Sequence, residues 1–137
     1  MAKGNTTVND VLKCILKGTA PGYLANPNLY VSLHKTDPTV TGNQTTGEVT
    51  TYDTYTRRPI SKATGWTDNG LNFTNAALIQ FPICSAIGDT VNFVAIGSGD
   101  TGVAGQIYYI GALTVPLVIT ANIQPQFSIG NLQVTES

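Results

Sequence analysis

Val91-Asn92-Phe93-Val94-Ala95-Ile96, then Gly97-Ser98-Gly99-Asp100-Thr101-Gly102, then Gln106-Ile107-Tyr108-Tyr109-Ile110 is the stretch on which the fold turns. Its glycines match G-x-G-x-x-G, the pattern that seats a dinucleotide pyrophosphate at the N-terminus of a helix. That chemistry needs the glycines to open a helix, yet the run from Gln106 is rich in Ile and Tyr and is a second strand. The reading is a hairpin with a glycine loop and no cofactor site.

Working outward, Leu29, Val31 and Leu33 alternate with Tyr30, Ser32 and His34, the period of a strand with one face buried and His34 on the exposed face. Thr36-Asp37-Pro38-Thr39 ends it in a turn. Further strands are expected at residues 55–60, 71–73, 77–81, 117–120, 127–129 and 132–134, beside the hairpin strands at 91–96 and 106–114, with a corner at 65–70. Short strands at this spacing in 137 residues predict one mainly β domain, an antiparallel β-sandwich or barrel with one short N-terminal helix.

The helix falls in an appendage over residues 1–22. Val8, Val11, Leu12, Ile15 and Leu16 lie at i, i+3, i+4, i+7 and i+8, one apolar stripe. Thr7 with Asp10 forms a capping-box-like start, Lys13 and Lys17 sit near the C-terminal end, and Gly18 takes the left-handed stop. By contrast, residues 40–54 are rich in Thr and Gly and poor in apolar anchors. They read as an exposed loop or arm, the first candidate for a contact surface.

Charged residues are 11% of the chain, well below the roughly 25% usual in soluble domains. Short uncharged polar side chains lose little entropy and little hydration when another protein covers them, which suits burial in an assembly; an extracellular β protein is the other reading. A net charge of −1 offers nothing to a polyanion, so no nucleic acid is expected as partner. No apolar run reaches the roughly 20 residues that span a bilayer, and the first residues lack a leader's apolar stretch. Synthesis in the host cytoplasm and no membrane partner are expected. Cys14 and Cys84 have apolar neighbours and read as buried free thiols.

No catalytic or metal site emerges. His34 is the single histidine, and the acidic residues are scattered through turns where Asp bonds its own backbone. No cofactor is expected. The residues left as candidate partner contacts are Glu48, Tyr52, Asp53, Tyr55, Arg57, Arg58 and Trp66. Arg57-Arg58-Pro59 is the one compact positive cluster, and Arg is favoured at interfaces for its planar fork; a solvated edge strand explains the pair equally well. Trp66 with a tyrosine is the minimal aromatic platform for a sugar, which would make the chain a glycan-binding receptor module.

The order of these signals resembles that of small virion proteins of bacteriophages, described as tail-fibre-like or decoration-like. The likeness rests on the N-terminal helix, Leu29-Tyr30-Val31-Ser32-Leu33 with Thr36-Asp37-Pro38, Gly47-Glu48-Val49, Tyr55-Thr56-Arg57, Asn75 to Pro82, Val94-Ala95-Ile96 and Gly105 to Leu113. It implies a β-sandwich acting as a capsid decoration (cement) protein, a homotrimer seated on the outer surface of the major capsid protein and stabilising the shell. The alternative in the same class is a tail, neck or baseplate structural component. The 40–53 stretch and the Thr56-Arg57-Arg58-Pro59 run depart from the pattern.

Overall fold

A computed structural model describes residues 1–136. Its strands are β1 (Ala2–Lys3), β2 (Asn28–His34), β3 (Arg58–Ser61), β4 (Trp66–Asp68), β5 (Asn72–Asn75), β6 (Ile79–Gln80), β7 (Thr90–Gly97), β8 (Ile107–Val118), β9 (Gln126–Phe127) and β10 (Gln133–Thr135). The helix α1 spans Asn5–Lys17, and a 3-10 turn follows at Gly22–Ala25. A five-stranded antiparallel sheet, ordered β1-β8-β7-β2-β3, faces two smaller sheets, β10-β5-β4 and β6-β9. The arrangement is a sandwich and not a closed barrel.

The glycine motif is the loop of the β7–β8 hairpin, with Gly97 opposite Ile107. Its glycines answer to packing. A Cβ on Gly97 would lie 2.3 Å from Gln44 Cδ, and one on Gly105 would lie 2.2 Å from Gln44 Oε1. The buried Gln44 side chain fills that space, donating to Tyr30 O and accepting from Gly99 N–H.

Val31, Leu33, Ile60, Val94, Ile96 and Tyr108 from the large sheet meet Ile79, Phe81 and Leu132 in one core. Val31 and Leu33 enter the core while the segment around Gln44 and Thr46 covers the opposite face of β2, so residues from Val31 to His34 are buried on both faces and the simple alternation fails there. His34 is therefore 0% exposed, against expectation. Its Nε2 lies 2.8 Å from Ser32 Oγ and its Nδ1 2.9 Å from Thr46 O.

Several boundaries differ from the sequence reading. The expected corner at 65–70 contains β4, which pairs with β5. The strands expected at 106–114 and 117–120 are one strand, β8, interrupted by a bulge: Val91 pairs with Leu117 but Phe93 with Ala112. Pro116 sits in that bulge, where a missing N–H breaks no ladder.

Residues 40–54 hold no regular strand, but they are not a free arm. Gln44, Val49 and Tyr52 are buried, and Val49 N–H donates to Leu33 O. Two carboxylates pin the rest. Asp89 Oδ2 accepts from Thr50 and Thr51 N–H, and Asp53 accepts from Ser85, Ala86 and Ile87 N–H. Desolvation pushes the Asp53 carboxyl up, but the N–H groups of Ile87, Ser85 and Ala86 outweigh it and hold its pKa below the ordinary value.

Candidate functional site

The seven residues singled out as contacts do not form one surface. Tyr52 is buried and its hydroxyl donates to Pro82 O; burial foremost pushes its pKa up to about 12. Asp53 is exposed but occupied by the loop it pins. Arg58 is half-buried on β3. Trp66 lies on the other side of the sandwich, in β4.

Glu48, Tyr55 and Arg57 do come together, as an interior node. Arg57 is 2% exposed. Its Nε and Nη2 grip the two Glu48 carboxylate oxygens at 2.8 Å each, the bidentate fork that gives Arg–carboxylate pairs their geometry. Nη1 donates to Gly99 O at 2.9 Å, Asp100 O at 2.7 Å and Val103 O at 2.7 Å. Tyr55 Oη donates to Glu48 Oε1 at 2.7 Å and accepts from Leu33 N–H at 3.1 Å. One guanidinium thus closes the hairpin loop over the 44–49 segment. Sequence reasoning had the chemistry of this side chain, a planar fork that takes carboxylates and carbonyls, but set it at a contact between proteins; nothing local ties Arg57 to carbonyls more than 40 residues on.

The helix gives the opposite picture. Its N-cap is Gly4, not Thr7, and no side chain caps it. Thr7 lies inside the first turn, buried, donating to Ile107 O at 2.7 Å. Gln106 Nε2 donates to Thr7 Oγ1 and to Asp10 Oδ2, both at 3.0 Å. These bonds fix which face meets the sandwich: the one carrying Thr7, Asp10 and Val11. The rest of the apolar stripe is rotated by roughly a third of a turn from that face and points to solvent. Ile15 is 74% and Leu16 75% exposed; Leu12 and Val8 are also exposed. Cys14, expected to be buried, is exposed although it lies on the Thr7 face, because α1 runs past the sandwich from residue 12 onward, while Cys84 is buried, and both are free thiols. Gly18 does take the left-handed stop, with φ 66°.

Beside the helix lies a cleft of about 470 Å³, walled by Val11, Tyr23, Leu29, Trp66, Phe73, Ile96, Tyr108 and Tyr109 among others. Tyr23 and Tyr108 rings stand 4.7 Å apart. Its polar groups are mostly engaged within the chain: Glu136 accepts from Tyr109 Oη at 2.6 Å and pairs with Lys3, and Lys62 donates to Tyr23 O. Two are not. Among the described residues, Trp66 Nε1 and Tyr108 Oη are buried without a hydrogen-bond partner. Ser98, beside Tyr108, directs its Oγ to the Gln106 N–H, and burial foremost pushes the Tyr108 pKa up to about 12.

The sequence from residue 2 to residue 135 matches the model of a family described as Podophage GP4 fiber I protein gp80. None of the curated proteins matches the chain.

Proposed function

Because the chain belongs to that podophage family and is a bacteriophage virion structural protein, we propose that it is a building block of a fibre on the particle. The observation that carries this is the extent of the match: residues 2–135 take in α1, every strand and the hairpin node, so the likeness is to the whole fold. The geometry agrees in kind. Groups with chemical potential are spent on rigidity: His34 on Ser32 and Thr46, Asp53 and Asp89 on loop amides, Glu48 on Arg57. What the chain leaves available is apolar surface, the material of protein–protein contact.

Fibre and capsid decoration make different demands on numbers. A fibre subunit is present in few copies at the tail; a cement protein on the major capsid protein is present in copies that rival the shell itself. Quantitative mass spectrometry of purified particles separates them. Few copies, with label confined to the tail by electron microscopy, is the expected result; a lattice-wide distribution would replace this reading with decoration.

One observation favours glycan binding as a second reading: Trp66, Tyr23, Tyr108 and Tyr109 share one cleft. A saturable change in Trp66 emission on adding host saccharide, abolished by Tyr23→Ala in the same cleft, is its signature. No change across a saccharide panel removes it.

A further inference from the structure

We propose that the outward stripe of α1, with Leu24 and the apolar mouth of the neighbouring cleft, is the surface on which a second copy of this chain docks. The inference rests on the fibre reading in that a fibre is built from repeated subunits. Its argument comes from the surface itself.

The stripe is an unusual use of an amphipathic helix. A helix on a domain turns its apolar side inward, since burial of that side is what stabilises it. Here the hydrogen bonds of Thr7 and Asp10 hold the polar side inward, and residues 12–18 leave the body altogether. Leu24 in the 3-10 turn is exposed, and across the cleft so are Phe73 and, at 93%, Leu71. Val11 and Leu24 line the same cleft as Leu71 and Phe73, so the mouth of the cleft beside α1 is apolar as well.

Area selects the occupant. Val8, Leu12, Ile15, Leu16 and Leu24 leave on the order of 500 Å² of apolar surface, near the upper range for a monomer's largest patch. Two copies meeting through it bury about 1,000 Å², the level at which specific interfaces begin, and Leu71 and Phe73 carry the total past that mark. Charge permits self-pairing as well. The stripe has no ionised side chain, and Lys13 and Lys17 lie away from it on the helix, so two copies meet without facing like charges.

Sedimentation velocity of the full chain over a micromolar concentration series tests this, with the Ile15→Lys/Leu16→Lys double variant and Leu71→Lys as probes. Lysine suits the last turn of a helix, so the double variant keeps its fold, which far-ultraviolet circular dichroism verifies. The expected result is concentration-dependent association of the wild type. The double variant should weaken it by about tenfold or more, as charge placed in a desolvated contact does, and Leu71→Lys should weaken it less. Emission from Trp66, the single tryptophan, should shift as copies associate. A wild type that stays monomeric throughout overturns the proposal, as do variants that associate as the wild type does. A solution monomer that is nonetheless found in the particle's fibre sinks the docking surface and leaves the fibre reading standing. Association through this face by a chain absent from particles does the reverse.

Discussion

The Arg57 node and the α1 helix invert the usual placement of polarity within one small domain. The node takes an Arg, a Glu and a Tyr into the interior and satisfies them; the helix puts Leu12, Ile15 and Leu16 into solvent and leaves them bare. A buried charge is tolerable only when its partners are all present, and the node supplies five hydrogen bonds to one guanidinium. An exposed apolar stripe is tolerable in a single chain because it strains nothing; it costs only the burial it forgoes. The difference teaches that the rigid part of this molecule is where its charges are, and its unfinished part is where its hydrophobes are.

Breaking the node is expected to give the largest effect. Arg57→Ala leaves the Glu48 carboxylate, three loop carbonyls and the Tyr55 hydroxyl to rearrange, and should cost about 3–5 kcal/mol of unfolding free energy in urea titrations. Arg57→Lys should recover only part of this, since an ammonium cannot fork across Glu48 while reaching the hairpin carbonyls. A loss below about 1 kcal/mol for Arg57→Ala would place the node at the solvated edge instead. Next in size is Asn75, 1% exposed, whose Nδ2 donates to Ala77 O and Ser128 O and whose Oδ1 accepts from Leu132 N–H. Asn75→Ala strands those backbone groups and should cost about 1–3 kcal/mol by the same measurement.

A smaller effect is expected from pH. Burial foremost lowers the His34 pKa, opposed by the Thr46 carbonyl and Glu48. The unfolded chain then takes up a proton that the folded chain refuses, so stability is complete above about pH 6.5 and falls as pH drops towards the folded pKa. The slope from this one group approaches but does not exceed about 1.4 kcal/mol per pH unit. Asp53, Asp89 and Glu136, all with lowered pKa values, add their own loss only below about pH 5. Urea midpoints recorded between pH 7 and pH 5 should therefore decline in the wild type and stay level in His34→Gln.

The sandwich class, the hairpin and the left-handed stop at Gly18 were legible because each depends on local pattern: alternation, glycine loops, a helix end. Three things were not. Periodicity identified the stripe on α1 but not the side it would face, which was decided by Thr7 and Gln106, almost 100 positions apart in the chain. Alternation in β2 could not show that both its faces are covered, so His34 was assigned to the wrong side. Tyr52 was taken as a surface group because loops poor in hydrophobes are usually exposed, and Arg57 because a charge on an edge strand is usually solvated. Here the loop is held by carboxylates and one guanidinium, and such anchors leave no periodic trace.

The smallest expected effect tests the central claim most directly. In urea unfolding at a concentration where the chain is monomeric, Ile15→Lys and Leu16→Lys should each change stability by no more than about 0.5 kcal/mol, as for an exposed site. A loss of about 2 kcal/mol or more, the cost of disrupting a packed core position, would show the stripe to be buried against its own domain and would contradict the account.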